Sequence, residues 1–251
     1  MPIPDTFSFK TLLVQLPRGE PFSTADLQVR GVSAFRASAL GRSGWLTHLA
    51  RGVYMLPGDT LTRDGTLAFL SRHMPGLHVG SKTALAWRGV RQNLAFSETL
   101  ALWGDKPQRL PVWFTQRFAA HYQATQLFDA QLPAGSGLQS LPGGRPEVLV
   151  SVPERALLEL LSDIGKDQSK GQSLTEAREL VEGLPNLREA VLDDLLLRTT
   201  RIKVIRIAAL LAQELQLPWA HLAQAHSLRI GGGQRWIAVS KSGERLDLKR
   251  P

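Results

Sequence analysis

Residues 21–56 read PFSTADLQVRGVSAFRASALGRSGWLTHLARGVYML, and this stretch decides the N-terminal fold. Ser23 predicts the start of a short helix, because its side-chain oxygen can accept a first-turn backbone N–H that has no helical partner. Asp26, three residues on, suits the positive end of that helix. Gly31 can take the left-handed conformation that closes it. Ser33 predicts the cap of a next helix from Ala34 to about Ser43, which Gly44 ends. Phe35, Ala39 and Leu40 are its expected core arc, with Arg36 at the border. Two short helices joined by a tight glycine turn make a helix-turn-helix pattern. Trp45–Leu49 and Val53–Leu56 are β-rich runs around the turn Ala50-Arg51-Gly52, which predicts a hairpin. A hairpin directly after the last helix is the wing of a winged helix-turn-helix. Upstream, Thr6 to Leu16 predicts a first helix with Leu12, Leu13 and Leu16 on one arc and Pro17 as the stop.

Such a head suggests double-stranded DNA as partner. The second helix of the motif enters the major groove with its N-terminal residues toward base edges, which makes Ser33, Arg36, Ala37 and Ser38 the candidates for base readout. Arg36 can reach guanine or a phosphate. Arg42, Arg51 at the hairpin tip, and Arg18 are better placed for phosphates. The competing reading is a winged helix that binds another protein.

The composition agrees with a nucleic-acid partner. The chain has 251 residues and a net charge of +8, a balance that favours acidic partners. The charge is unevenly spread: residues 1–56 hold six Arg and Lys against three acids, 154–194 five against ten, and 198–251 ten against three. A head and tail that are basic around an acidic middle point to segments with different tasks. The absence of cysteine excludes disulfides, thiolate nucleophiles and Cys-based zinc sites and fits a reducing cytoplasm. No run of 18 apolar residues is present, so no membrane span is expected. The N-terminus lacks the basic-then-apolar pattern of a secretory signal.

Beyond residue 58 the pattern changes. Helices are expected over 64–72, 81–88, 153–164, 174–182, 187–197 and 203–215. Strands are expected at 78–79, 100–103, 112–114 and 148–152, and a loop rich in Gly, Pro and Ser at 133–146. The fold class is therefore α+β. A winged helix-turn-helix over 1–58 precedes a larger mixed domain over 59–251, with a small sheet and a helical C-terminal half.

Several motifs suggest chemistry and fall short of it. Gly80-Ser81-Lys82-Thr83 lies between a strand and a helix, but a phosphate loop needs glycine directly before the lysine; Ser81 as a helix cap is the simpler reading. Gly231-Gly232-Gly233 beside Arg235 reads as a tight turn. His73 and His78, and His221 and His226, are five residues apart, whereas two ligands on one helical face need three or four. No metal site and no cofactor are expected. Glu147 precedes a strand without a lysine two residues on, so the carboxylate arrangement of a small nuclease is missing. Glu154, Glu159 and Asp163 are regularly spaced on a helix and read as a solvated face.

Against this background, residues 31–56 resemble the N-terminal winged helix of AbiEi-type antitoxins of type IV toxin–antitoxin (abortive infection) systems. Val152-Pro153-Glu154-Arg155-Ala156 through Leu161 resembles that family's PERA-type helix. Gly183-Leu184 through Leu196, Ile202 to Arg206, Leu217-Pro218-Trp219 and Gly231 to Arg235 resemble further family segments in the same order. Gln234 stands where the family usually has lysine. The chain end also departs, since the family tends to finish on a short strand and here the sequence is expected simply to stop. The resemblance implies a protein without enzymatic activity that binds operator DNA and represses its own operon. It also implies a C-terminal domain that counters a nucleotidyltransferase-like toxin of the AbiEii type without a tight complex. Lys203, Arg206, Arg229 and Arg235 are then the basic candidates for neutralisation. Arg155 has the alternative of pairing with acids in its own domain. A plain winged-helix regulator whose C-terminal domain senses a ligand or oligomerises is the alternative function, and a nuclease targeted by the winged helix is a more distant one.

Overall fold

The computed structural model of the chain describes residues 9–90, 99–165, 173–229, 236–239 and 245–248. It separates into two compact units: residues up to 74 with 110–118, and 75–109 with the residues from 119 onward.

The first unit opens with α1 (Phe9–Gln15); Leu12 on this helix and Leu16 just after it are buried, and Thr6–Ser8, where the helix was expected to start, lie outside the described residues. Next come β1 (Phe22–Ser23) and α2 (Thr24–Gln28). Ser23 and Asp26 form a reciprocal capping box. The Ser23 hydroxyl accepts the Asp26 N–H at 3.2 Å, and the Asp26 carboxylate accepts the Ser23 N–H at 2.7 Å. Two donors that a helix start leaves over are thereby satisfied. Gly31 takes a φ of +78° where the chain turns out of α2, a conformation a Cβ would oppose. Then follow α3 (Ala34–Arg42), β2 (Thr47–Ala50) and β3 (Val53–Met55). β3 pairs antiparallel with both β1 and β2, giving a three-stranded sheet in the order β1-β3-β2. This is a winged helix-turn-helix. Its wing starts at Thr47, two residues later than the sequence suggested, and leaves Trp45 exposed. Leu12, Leu16, Phe22, Leu27, Val32, Ala37, Leu46, Tyr54 and Leu56 form one buried cluster, so its core closes within residues 12–56.

After α4 (Arg63–Ser71) the chain enters the second unit through β4 (His78–Val79), α5 (Ser81–Trp87) and β5 (Leu100–Trp103). It returns to the first unit for α6 (Val112–Thr115) and then remains in the second. Residues 112–114 were expected to be a strand and are helical. Pro111 sits at the N-cap, and its carbonyl accepts the Thr115 N–H at 3.1 Å. A short apolar run has no periodicity to separate the two states; here packing decides. Trp113 meets Phe69 of α4 edge to face at 6.1 Å between ring centroids, and Phe114 stacks near Phe118 at 5.4 Å.

The second unit continues with β6 (Ala120–Gln123), β7 (Leu138–Gln139), β8 (Val150–Ser151) and α7 (Pro153–Asp163). Then come α8 (Leu174–Glu182), α9 (Glu189–Arg198), α10 (Ile202–Glu214) and α11 (Ala220–Arg229). The last pair is β9 (Trp236–Val239) and β10 (Arg245–Leu248). A mixed five-stranded sheet runs in the order β6-β5-β4-β8-β7. β6 is parallel to β5 and β4 to β8, while β4–β5 and β7–β8 are antiparallel. α5 and α10 pack on α7, and α11 on α10. α7 starts with Pro153, whose missing N–H costs nothing at the first helical position. It is buried almost throughout.

The elements here that were not anticipated are β6, β7 (inside the loop expected over 133–146), α11 and the β9–β10 pair. The last corrects the reading of the chain end, because residues 245–248 pair antiparallel with 236–239. The segments that carried the family resemblance are joined in space. The Glu154 carboxylate accepts from the Arg188 backbone N–H at 2.8 Å and from its guanidinium at 2.8 and 2.9 Å. The Trp219 indole N–H donates to the Leu184 carbonyl at 2.8 Å.

Candidate functional site

The face that α3 turns outward is set by its cap. Ser33 accepts the Arg36 N–H at 3.2 Å, which fixes the helix start. Val32 just before the cap and Ala37 in the first turn are both fully buried, the arrangement of a hydrophobic staple. Leu40 packs against the same cluster. Gly41 faces Tyr54 so closely that a Cβ would stand 3.1 Å from the ring. The inward arc is therefore Ala37, Leu40 and Gly41, not Phe35, Ala39 and Leu40. Phe35 is 79% exposed, and Ala34, Arg36, Ser38 and Arg42 are exposed with it. Ala37, counted among the base-reading candidates, lies in the core and cannot reach a base edge from there.

The basic candidates of this unit differ in what they already hold. Arg18 donates to the Asp59 carboxylate at 2.9 Å. Asp59 also accepts the Gly19 N–H, and that bond together with Arg18 keeps its carboxyl below the usual range. Arg18 is thus partly neutralised within its own unit. Arg42 closes α3, and Arg51 occupies the exposed turn between β2 and β3. Neither has an acidic partner among the described residues. Arg36 is exposed in the first turn of α3. Ser33 spends an oxygen lone pair on capping and keeps its hydroxyl proton for a further acceptor. Ser33, Arg36, Ser38 and Arg42 thus share one exposed helix.

A second polar cluster is buried in the other unit. Glu154, Glu159 and Asp163, read as a solvated face, are all buried, because each carboxylate has partners. Both Asp163 carboxylate oxygens accept from the Gln123 amide at 3.0 Å. Glu159, with no exposed surface, takes four donors. His78 Nε2 at 3.0 Å and Arg155 Nε at 2.8 Å reach one oxygen, and the Ser81 N–H at 3.0 Å and the Ser151 hydroxyl at 2.8 Å reach the other. His78 Nδ1 lies 2.7 Å from the Gly76 carbonyl. Both ring nitrogens thus face oxygen atoms. Burial alone would raise the Glu159 carboxyl, but the charges and hydrogen bonds of His78 and Arg155 outweigh it and lower it to about 2. The sequence placed Ser81 as cap of α5; the cap is Gly80, with no side-chain bond. The Glu159 carboxylate sits at that helix start in the place a phosphate would need.

Of the neutralisation candidates, Arg229 is exposed at the end of α11. The Lys203 amine donates to the Ile164 carbonyl, and Arg206 is buried on α10. Arg235 lies outside the described residues, as do the glycines at 231–233. Arg155 is held by Glu159 and by the Ser136 carbonyl, and its guanidinium lies over the Phe128 ring. Among the described residues there is no group of three potential metal ligands, and no helix is long and apolar enough to cross a membrane.

Two family models cover almost the whole chain. Residues 6–96 match the N-terminal domain of the AbiEi antitoxin transcriptional regulators. Residues 97–249 match the AbiEi antitoxin transcriptional regulator of type IV toxin–antitoxin systems. Comparison with curated protein sequences found no match. Among solved structures, the crystal structure of the Rv2827c protein from Mycobacterium tuberculosis is similar, with a TM-score of 0.56 at 17% identity over 91% of this chain and 86% of that one. At that identity the likeness concerns the fold.

Proposed function

The chain belongs to the AbiEi antitoxin family of transcriptional regulators, and from that premise we propose that its winged helix binds operator DNA and represses its own operon. The observation that carries this reading is the exposed face of α3 together with Arg42 and Arg51, two cations without acidic partners among the described residues. A helix of this width fits the major groove, and cations at its end and at the wing tip suit phosphates on either side. Arg42→Ala and Arg51→Ala should each weaken binding to every duplex sequence. Each should also lower the slope of log affinity against log salt by about one, as loss of one phosphate contact does. Gel-shift titrations of the region upstream of the chain's own reading frame, at several salt concentrations, measure both. An unchanged slope removes that arginine from the interface.

The second activity in this proposal is antitoxin action by residues 59–251 against a nucleotidyltransferase-like toxin of the AbiEii type. Family membership supports it, and Arg229 is the exposed basic residue to test first. Co-expression with the neighbouring reading frame in a growth assay tests it: rescue of growth by this chain supports the reading. A specific observation favours the alternative of a ligand-sensing regulator. The second unit contains a cleft of about 590 Å3 whose lining includes His78, Trp103, Asp105, Phe128 and Arg155. A neighbouring reading frame without toxicity, or a toxicity this chain does not relieve, would favour that alternative.

A further inference from the structure

We propose that Phe35 reads the C5-methyl group of a thymine in the major groove, an inference that rests on the DNA-binding reading of α3. With 3.6 residues per turn, Phe35 stands about 200° around the helix from the buried Ala37, at the centre of the outward face. Ser38, Ala39 and Arg42 follow it at helical spacings of three, four and seven and share that side. Phe35 is 79% exposed and lies in the first helical turn, the part of such a helix that meets base edges. The small side chains of Ser38 and Ala39 leave the ring standing above the helix surface. Hydrogen-bonding side chains distinguish guanine and adenine edges, whereas an apolar side chain distinguishes thymine by its methyl group. The flanking Arg36 and Arg42 provide the charge that brings this apolar ring against a polyanion rather than against an apolar protein surface.

The test uses the full chain and a duplex covering the region upstream of its own reading frame. The duplex is amplified either with thymidine or with deoxyuridine, which removes every C5-methyl group and leaves base pairing intact. The wild-type chain should bind the deoxyuridine duplex about fourfold or more weakly, the factor that burial of one methyl group supplies. Phe35→Ala should bind the thymidine duplex more weakly by a similar factor and should no longer distinguish the two. Phe35→Leu, which keeps an apolar tip, should retain part of the distinction. Val29→Ala, which removes another highly exposed apolar side chain outside α3, should behave as wild type. Because Phe35 is exposed, its variants should keep the wild-type thermal midpoint. Equal binding of both duplexes by the wild type, or an undiminished preference in Phe35→Ala, overturns the proposal while the DNA-binding reading stands. A Phe35→Ala variant that changes oligomeric state in size-exclusion chromatography and keeps the preference assigns the ring to a second copy and also overturns it. A wild-type chain that shifts neither duplex over random competitor DNA overturns the DNA-binding reading itself.

Discussion

Glu159 shows how a single residue commits its surroundings. Its two oxygens serve four donors, and a glutamine offers only one oxygen. Glu159→Gln therefore leaves buried donors without an acceptor and the Arg155 charge uncompensated, which should cost about 3–5 kcal/mol. Urea denaturation at pH 7 measures it. The carboxyl lies near 2 in the folded state against an ordinary 4.5, so its contribution is present above about pH 4.5 and is lost as pH falls toward 2. The wild type should lose stability over that window more steeply than Glu159→Gln; parallel curves would show that Glu159 is not the titrating group. Gly80 reports on the same cluster. A Cβ there would stand 2.3 Å from a Glu159 oxygen and 2.6 Å from the Trp103 ring. Gly80→Ala should therefore destabilise by about 1–3 kcal/mol, the usual cost of overpacking, as the same urea titrations would report.

At the scale of elements, the two serine caps make a matched comparison. Ser33→Ala removes the side-chain acceptor of the Arg36 N–H in the first turn of α3 and should cost about 1 kcal/mol, with weaker binding to all duplexes as the exposed end frays. Ser23→Ala should cost a similar amount in urea denaturation, with a smaller effect on DNA affinity. A Ser33 variant with unchanged affinity would mean that the start of α3 does not need to be ordered to bind. These caps also explain what could be read in advance. Ser23, Gly31, Ser33 and Gly44 are local signals, and the helices and wing they bound were legible. The facing of α3 was not, because the large apolar Phe35 outweighed the small Ala37 in judging the core arc. The staple of Val32 and Ala37 around the Ser33 cap was the signal that could have corrected it. β6 was missed because Ala120–Gln123 is half-buried and mixed in polarity, and its pairing with β5 is a backbone matter. The buried carboxylates of α7 were invisible for a different reason. Their partners His78, Gln123 and Arg188 lie 34 to 81 residues away in sequence, so spacing along the helix alone suggested a wet face.

At the scale of the whole molecule, the point at which the chain is cut should decide whether the antitoxin activity survives alone. The buried cluster of the winged helix draws on residues 12–56, so a fragment beginning at residue 60 removes that cluster entire, while the buried residues of α4 and α6 in the same unit stay behind. It loses the bond from the Thr62 N–H to the Gly19 carbonyl, 2.8 Å, but keeps α4 and the edge-to-face contact of Phe69 with Trp113. A fragment beginning at residue 75 loses α4 and uncovers Trp113 of α6, which is otherwise buried. Fragment 60–251 should therefore be soluble and relieve the toxicity of the neighbouring reading frame, while failing to repress a reporter placed behind the chain's own upstream region. Fragment 75–251 should express less soluble protein and relieve toxicity less well. Growth curves, reporter output and soluble yield measured side by side distinguish the outcomes. A fragment 60–251 that is folded by circular dichroism yet gives no relief would place an essential part of neutralisation in the winged helix and overturn the division of labour at residue 58.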